Sequence, residues 1–93
     1  MAGRLVFRVH AVERMFQRGI SRETVISVLE TGETIEDYSD DYPYSSRLVL
    51  GWSGARPIHV VAAMNAETDE IIVITVYEPG LDEWDNGFRR RRP

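Results

Sequence analysis

Cysteine is absent from this 93-residue chain, so no disulfide framework, thiolate nucleophile or thiolate metal site can form within it. Lysine is absent too, and all 11 basic side chains are arginine. The guanidinium fork suits bidentate contacts to phosphate, although a bias in base composition produces the same pattern. No apolar run approaches the roughly 20 residues that cross a bilayer. The opening Met1–Arg8 also lacks the apolar region, roughly 7–15 residues long, of a secretory leader. A cytoplasmic protein without a membrane partner is therefore expected. Histidine occurs only at positions 10 and 59, and the acidic run Glu36–Asp41 lacks the glycine and closing glutamate of a calcium loop, so neither a metal nor a cofactor is expected. Gly51, Gly54 and Gly80 stand singly, with no phosphate-cradling loop around them, and no nucleophile-elbow pattern surrounds any serine. These absences argue against ATP-dependent and serine-hydrolase chemistry.

What remains is an ordinary globular composition, 43% apolar and 28% charged, long enough for one core and too short for two. A single domain over residues 1–93 is expected. The net charge of -4 conceals a segregated distribution: residues 1–29 and the terminal Arg89–Arg92 run are basic, and nearly all the acids lie between them. Binding to nucleic acid through bulk charge is disfavoured, while a local basic patch is allowed. Residues 89–93 read as a flexible Arg-rich tail that could also hook a phosphate.

After a short β-like lead at Leu5–Val9, the pattern predicts a helix from about His10 to Arg18, ended by Gly19 in the left-handed conformation. Ser21 then reads as the N-cap of a second helix, with Glu23 in its first turn, a buried face of Val25, Ile26, Val28 and Leu29, and Gly32 at its end. From Glu33 the period changes to two. Thr34–Tyr38, Arg47–Trp52, Pro57–Met64 and Glu70–Tyr77 read as strands joined by connections too short for parallel crossovers. The expected fold is α+β, with two N-terminal helices packed on a four-stranded antiparallel sheet. Pro79 stops the last strand, Trp84 and Phe88 fold back on the domain, and Thr34–Tyr38 is an edge that could pair two copies into a homodimer.

Chemistry concentrates on the first helix. His10, Arg14 and Arg18 are four residues apart, and each step advances about 40° around a helix, so the imidazole and both guanidiniums share one face. Ala11, Val12, Met15 and Phe16 form the apolar stripe expected to dock on the core. In the last strand Thr75 and Tyr77 alternate onto one face and cluster at its carboxyl end, where their hydroxyls could line a shallow site or simply belong to a half-buried sheet. His59, flanked by Ile58 and Val60, reads as a satisfied sheet histidine.

Taken together, His10-Ala11, Arg14-Met15, Arg18-Gly19-Ile20-Ser21, Gly32, Tyr38, Pro43, Leu48–Gly51, Pro57-Ile58-His59-Val60-Val61, Ile74-Thr75-Val76-Tyr77, Pro79 and Trp84 resemble a small bacterial family catalogued as a domain of unknown function. The resemblance spans roughly residues 6–92. It implies kinship with the RelE-, BrnT- and MqsR-like toxins of type II toxin-antitoxin pairs, a RelE-like fold, metal-independent RNA cleavage, and a zinc-finger antitoxin as partner. On that footing His10 would act as base or acid, Arg14 and Arg18 would clamp the phosphate, and Tyr77 would supply the second proton-transfer or orienting group. Thr75, Arg89 and Arg90 would bind substrate, either free RNA or RNA on the ribosome. The pairing requires His10 and Tyr77 to share a cleft. The residues equally admit a non-catalytic protein-interaction module, or a relative that binds RNA without cutting it.

Overall fold

The computed structural model describes residues 3–93. The elements run β1 (Arg4–Phe7), α1 (Val9–Arg18), α2 (Arg22–Thr31), β2 (Glu33–Tyr38), β3 (Ser46–Ser53), β4 (Arg56–Asn65) and β5 (Glu70–Tyr77). They build one five-stranded sheet in the order β1-β5-β4-β3-β2. Strands β2 to β5 form an antiparallel meander, as their short connections require.

The sheet is mixed and five-stranded, which corrects the expected four-stranded antiparallel one. The apolar lead pairs as β1 in parallel with β5, with Leu5 opposite Ile71 and Phe7 opposite Val73. Loop length constrains only strands that follow one another. Between β1 and β5 lie both helices and three strands, so their relative direction is free.

Both helix junctions follow from local chemistry. Gly19 adopts φ 64° and its N–H caps carbonyls of α1, while the Ser21 hydroxyl accepts the Thr24 N–H at the start of α2. The helices bury Ala11, Ile20, Val25, Val28 and Leu29 against Val49, Ile58, Val60, Ala62, Ile71, Val73 and Val76. Within α1 only Ala11 and Met15 face that core. Val12 and Phe16 are 51% and 90% exposed, which corrects the wider docking stripe, and Ile26 is half-buried. The helix meets the sheet along β5, so the face available for burial is narrower than that of a helix lying flat on several strands.

The opposite face of the sheet carries Leu48, Leu50 and His59, all buried. Residues 79–92 cross it without regular secondary structure. Trp84 is 2% exposed there and meets the His59 ring edge-on at 4.5 Å, and Phe88 meets Trp52 at 6.0 Å. The arginines at the end of this segment lie against the edge strand β2: Arg89 Nε sits 2.7 Å from Glu33, and Arg91 Nε 3.2 Å from Glu36. The backbone N–H of Arg92 reaches the Glu83 carbonyl at 2.8 Å. Among the described residues no helix is long and apolar enough to cross a membrane.

Candidate active site

One irregularity of β5 sets the geometry of the site. Val61 faces Thr75 and Ala62 faces Val73, so Ile74 is an extra residue in the ladder. Before it, Ile71 and Val73 point to the helical core; after it, Val76 does, leaving Thr75 and Tyr77 on the opposite face with His59. Because β1 pairs only with Glu70–Val73, the second half of β5 is left to α1. The polar stripe of α1 therefore runs beside the hydroxyl-bearing end of β5.

Arg14, Arg18, Thr75, Tyr77, Glu83 and Arg91 line a cavity of about 380 Å³ at that seam. Among the described residues the guanidiniums of Arg14 and Arg18 have no hydrogen-bond or ion-pair partner. Arg91, by contrast, is held by Glu36 and lies 4.7 Å over the Trp84 ring, a cation–π contact that fixes it at the rim. Burial pulls the Glu36 carboxyl upward, but hydrogen bonds from Tyr38 and Arg91 outweigh it and leave the acid below its ordinary range. Arg56 clasps the end of α1, bonding the Gly19 carbonyl at 3.4 Å and Glu78 at 2.6 Å, and so ties the helix to the strand that carries Tyr77.

Behind the cavity lies a hydrogen-bonded relay. His59 Nε2 is 2.9 Å from the Phe88 carbonyl, which can only accept, so that nitrogen carries the proton. Nδ1 is then an acceptor for the Tyr77 hydroxyl 3.1 Å away. Burial lowers the histidine from its ordinary value near 6.5, against the upward pull of the Phe88 carbonyl, so it is neutral at pH 7. Burial pushes the Tyr77 phenol up to about 12. The pair can accept one proton as a unit, with Tyr77 passing its own to His59 while taking another from the cavity.

The structure brings together Arg14, Arg18, Thr75 and Tyr77, and separates them from the other sequence candidates. His10 lines a different cavity, with Arg8, Tyr42, Tyr44 and Ile74. The expected sharing of one cleft by His10 and Tyr77 is corrected, because the two stand in cavities with no common lining residue. Arg89 and Arg90 line neither. Arg89 is turned to Glu33, and the Arg90 carbonyl accepts the Asp85 N–H at 2.9 Å. Sequence reasoning missed Arg91, Glu83 and the relay role of His59. Alternation could not have supplied the last, since the register set by the β4–β5 turn would put His59 across from Val76 and only the extra residue Ile74 brings Tyr77 opposite it. Among the described residues no three His, Asp or Glu side chains are grouped to hold a metal ion.

A family model described as "Domain of unknown function (DUF4258)" matches residues 7–78, which include Arg14, Arg18, His59, Thr75 and Tyr77 but not Glu83, Trp84 or Arg91. No curated protein and no solved structure matches the chain. The expected kinship with RelE-, BrnT- and MqsR-like toxins thus rests on the sequence resemblance alone.

Proposed function

The chain belongs to the DUF4258 family, whose description assigns no activity, and from the geometry we propose that it is a toxin-like endoribonuclease cutting RNA without a metal ion. The observation that carries this reading is the convergence of two unpartnered arginines, Arg14 and Arg18, on the cavity into which the Tyr77 relay opens. Cleavage of this kind needs cationic stabilisation of a charged phosphorane and an acceptor for the ribose 2′-proton.

The 2′-oxygen attacks the adjacent phosphorus and its proton passes to Tyr77, which hands its own to Nδ1 of His59. Arg14 and Arg18 hold the non-bridging oxygens, whose charge grows as the new bond forms, and the Thr75 hydroxyl orients the sugar-phosphate. The bond from phosphorus to the 5′-oxygen breaks, that oxygen takes a proton from water at the open mouth of the cavity, and the hydroxide so formed takes back the proton stored on His59 through Tyr77, which restores the pair. The products are a 2′,3′-cyclic phosphate and a 5′-hydroxyl. His59 touches no substrate atom and acts only through Tyr77. His10, in its separate cavity, takes no part in proton transfer, which replaces the pairing expected from sequence.

A non-catalytic interaction module, such as one masked by a zinc-finger antitoxin, is the second reading. The exposed stripe of Val9, Val12 and Phe16 on α1 favours it. End-labelled single-stranded RNA incubated with pure protein in EDTA separates the two. The nuclease reading expects cleavage that is lost in Arg14→Ala and Arg18→Ala but kept in Arg22→Ala, a charge-matched change outside the cavity. Wild-type protein that leaves RNA intact, both free and on translating ribosomes, favours the interaction module.

A further inference from the structure

The bulge turns Thr75 toward the arginine cavity and so to the side of the sheet where alternation already places its neighbour Ile74, which lines a second cavity of about 430 Å³. The two cavities are consecutive along both elements that frame them. Ile74 precedes Thr75 on β5, and His10 lies one four-residue step, about 6 Å, before Arg14 on α1. Their linings differ in character. The first holds arginines, carboxylates and hydroxyls; the second combines Tyr42, Tyr44, Ile74 and Ala63 with Arg8 and His10 at its rim.

Tyr42 is 94% exposed, so its ring contributes nothing to the core, while Tyr44 is held by a hydrogen bond from Asn65 at 3.2 Å. The carboxylate in this cavity, Asp41, is occupied by the hydroxyl of buried Ser46 at 2.6 Å. A flat ring entering here meets an aromatic face, an aliphatic floor, the Arg8 cation and the imidazole edge of His10.

We propose that this second cavity seats a nucleobase of the same RNA strand whose phosphate lies between Arg14 and Arg18. The inference rests on the phosphodiester reading above and deepens it by naming single-stranded RNA, with at least one base unstacked, as the substrate. The base stacks on Tyr42, the imidazole of His10 contacts its edge, and the strand then follows α1 into the first cavity. Stacking on an aromatic ring tolerates any base, so the site selects for an unpaired nucleotide rather than for a sequence.

The test compares binding of two uncleavable ligands of equal length: a short 2′-O-methyl RNA, and the same sugar-phosphate chain without bases. The exposure of Tyr42 makes Tyr42→Ala safe for folding. That variant is expected to weaken the base-bearing ligand roughly tenfold, within the range for loss of one stacked base, and to leave the abasic chain unchanged. His10→Ala is expected to show the same split. If wild type binds both ligands and Tyr42→Ala binds both as wild type does, the base site is wrong and the phosphate site stands. Equal weakening of both by Tyr42→Ala also overturns the base site. If wild type binds neither, the phosphodiester reading fails and this inference fails with it.

Discussion

The Tyr77 hydroxyl lies 3.1 Å from Nδ1 of His59, whose Nε2 lies 2.9 Å from the Phe88 carbonyl, so one imidazole joins the cavity to the segment that covers the sheet. Trp84 completes the enclosure, edge-on to the same ring. The histidine is thereby oriented at both nitrogens, dry, and neutral, as a proton acceptor behind a substrate-facing phenol must be.

Replacing Tyr77 by Phe leaves the ring packing intact and removes the hydroxyl that, among the described residues, donates to Nδ1. The buried nitrogen then has no partner, which should cost about 1–3 kcal/mol of stability in a denaturant titration. Cleavage should fall by roughly 10²-fold or more, the usual size of a lost proton-transfer group. Loss of stability with full cleavage would remove Tyr77 from the chemistry.

The lowered pKa of His59 gives a signed pH dependence. The unfolded imidazole binds a proton near 6.5 and the folded one only at lower pH, so acid favours the unfolded state between the two values. Stability should decline as pH falls below about 6.5 and level off below the folded pKa, while His59→Gln should lack that part of the decline. Cleavage, which needs the neutral imidazole, should be full at neutral pH and fall as pH drops through the folded pKa. A rate that rises on acidification would contradict the relay.

Gly51 of β3 faces α2 so closely that a Cβ would stand 2.6 Å from Cγ2 of Val28. Gly51→Ala should push the helix off the sheet and destabilise by about 1–3 kcal/mol, as overpacking does, with a lowered melting temperature as the readout. Because α2 lines no part of the arginine cavity, kcat of the folded fraction should hold.

Salt dependence separates cations that hold phosphate from those that hold the fold. Arg14→Ala and Arg18→Ala should each flatten the plot of log affinity against log salt by about 0.7 for a single strand. Arg89→Ala should leave the slope unchanged, because that guanidinium is already turned to Glu33.

The helices, their caps and the four meander strands were legible because each is fixed by local pattern: Gly19 and Ser21 punctuate the helices, and two-residue periodicity marks the strands. The β character of the lead at Leu5–Val9 was legible too, but its place in the sheet was not, since the pairing of Leu5 with Ile71 joins segments more than sixty residues apart. The alignment of Arg14 and Arg18 with Thr75 and Tyr77 could be read only in halves, one from helical and one from strand periodicity. Which halves meet is decided by the Ile74 bulge and by where β1 stops, neither of which leaves a sequence signal. For the same reason His10 seemed to belong with Tyr77: helical periodicity gives a shared face but not which cavity each turn overlooks. Arg91 was hidden within a run of four arginines, and it is the Trp84 ring beneath it, with Glu36 and Tyr38 beside it, that distinguishes it from its neighbours.

The most direct test of the central claim is the fate of RNA and of its all-2′-deoxy counterpart, incubated with the wild-type protein in EDTA and resolved by end-label. The account requires the 2′-oxygen as nucleophile. It therefore predicts that the RNA is cut to cyclic-phosphate and 5′-hydroxyl ends, while the deoxy strand is bound and left whole. Cleavage of both strands, or of neither, would contradict it.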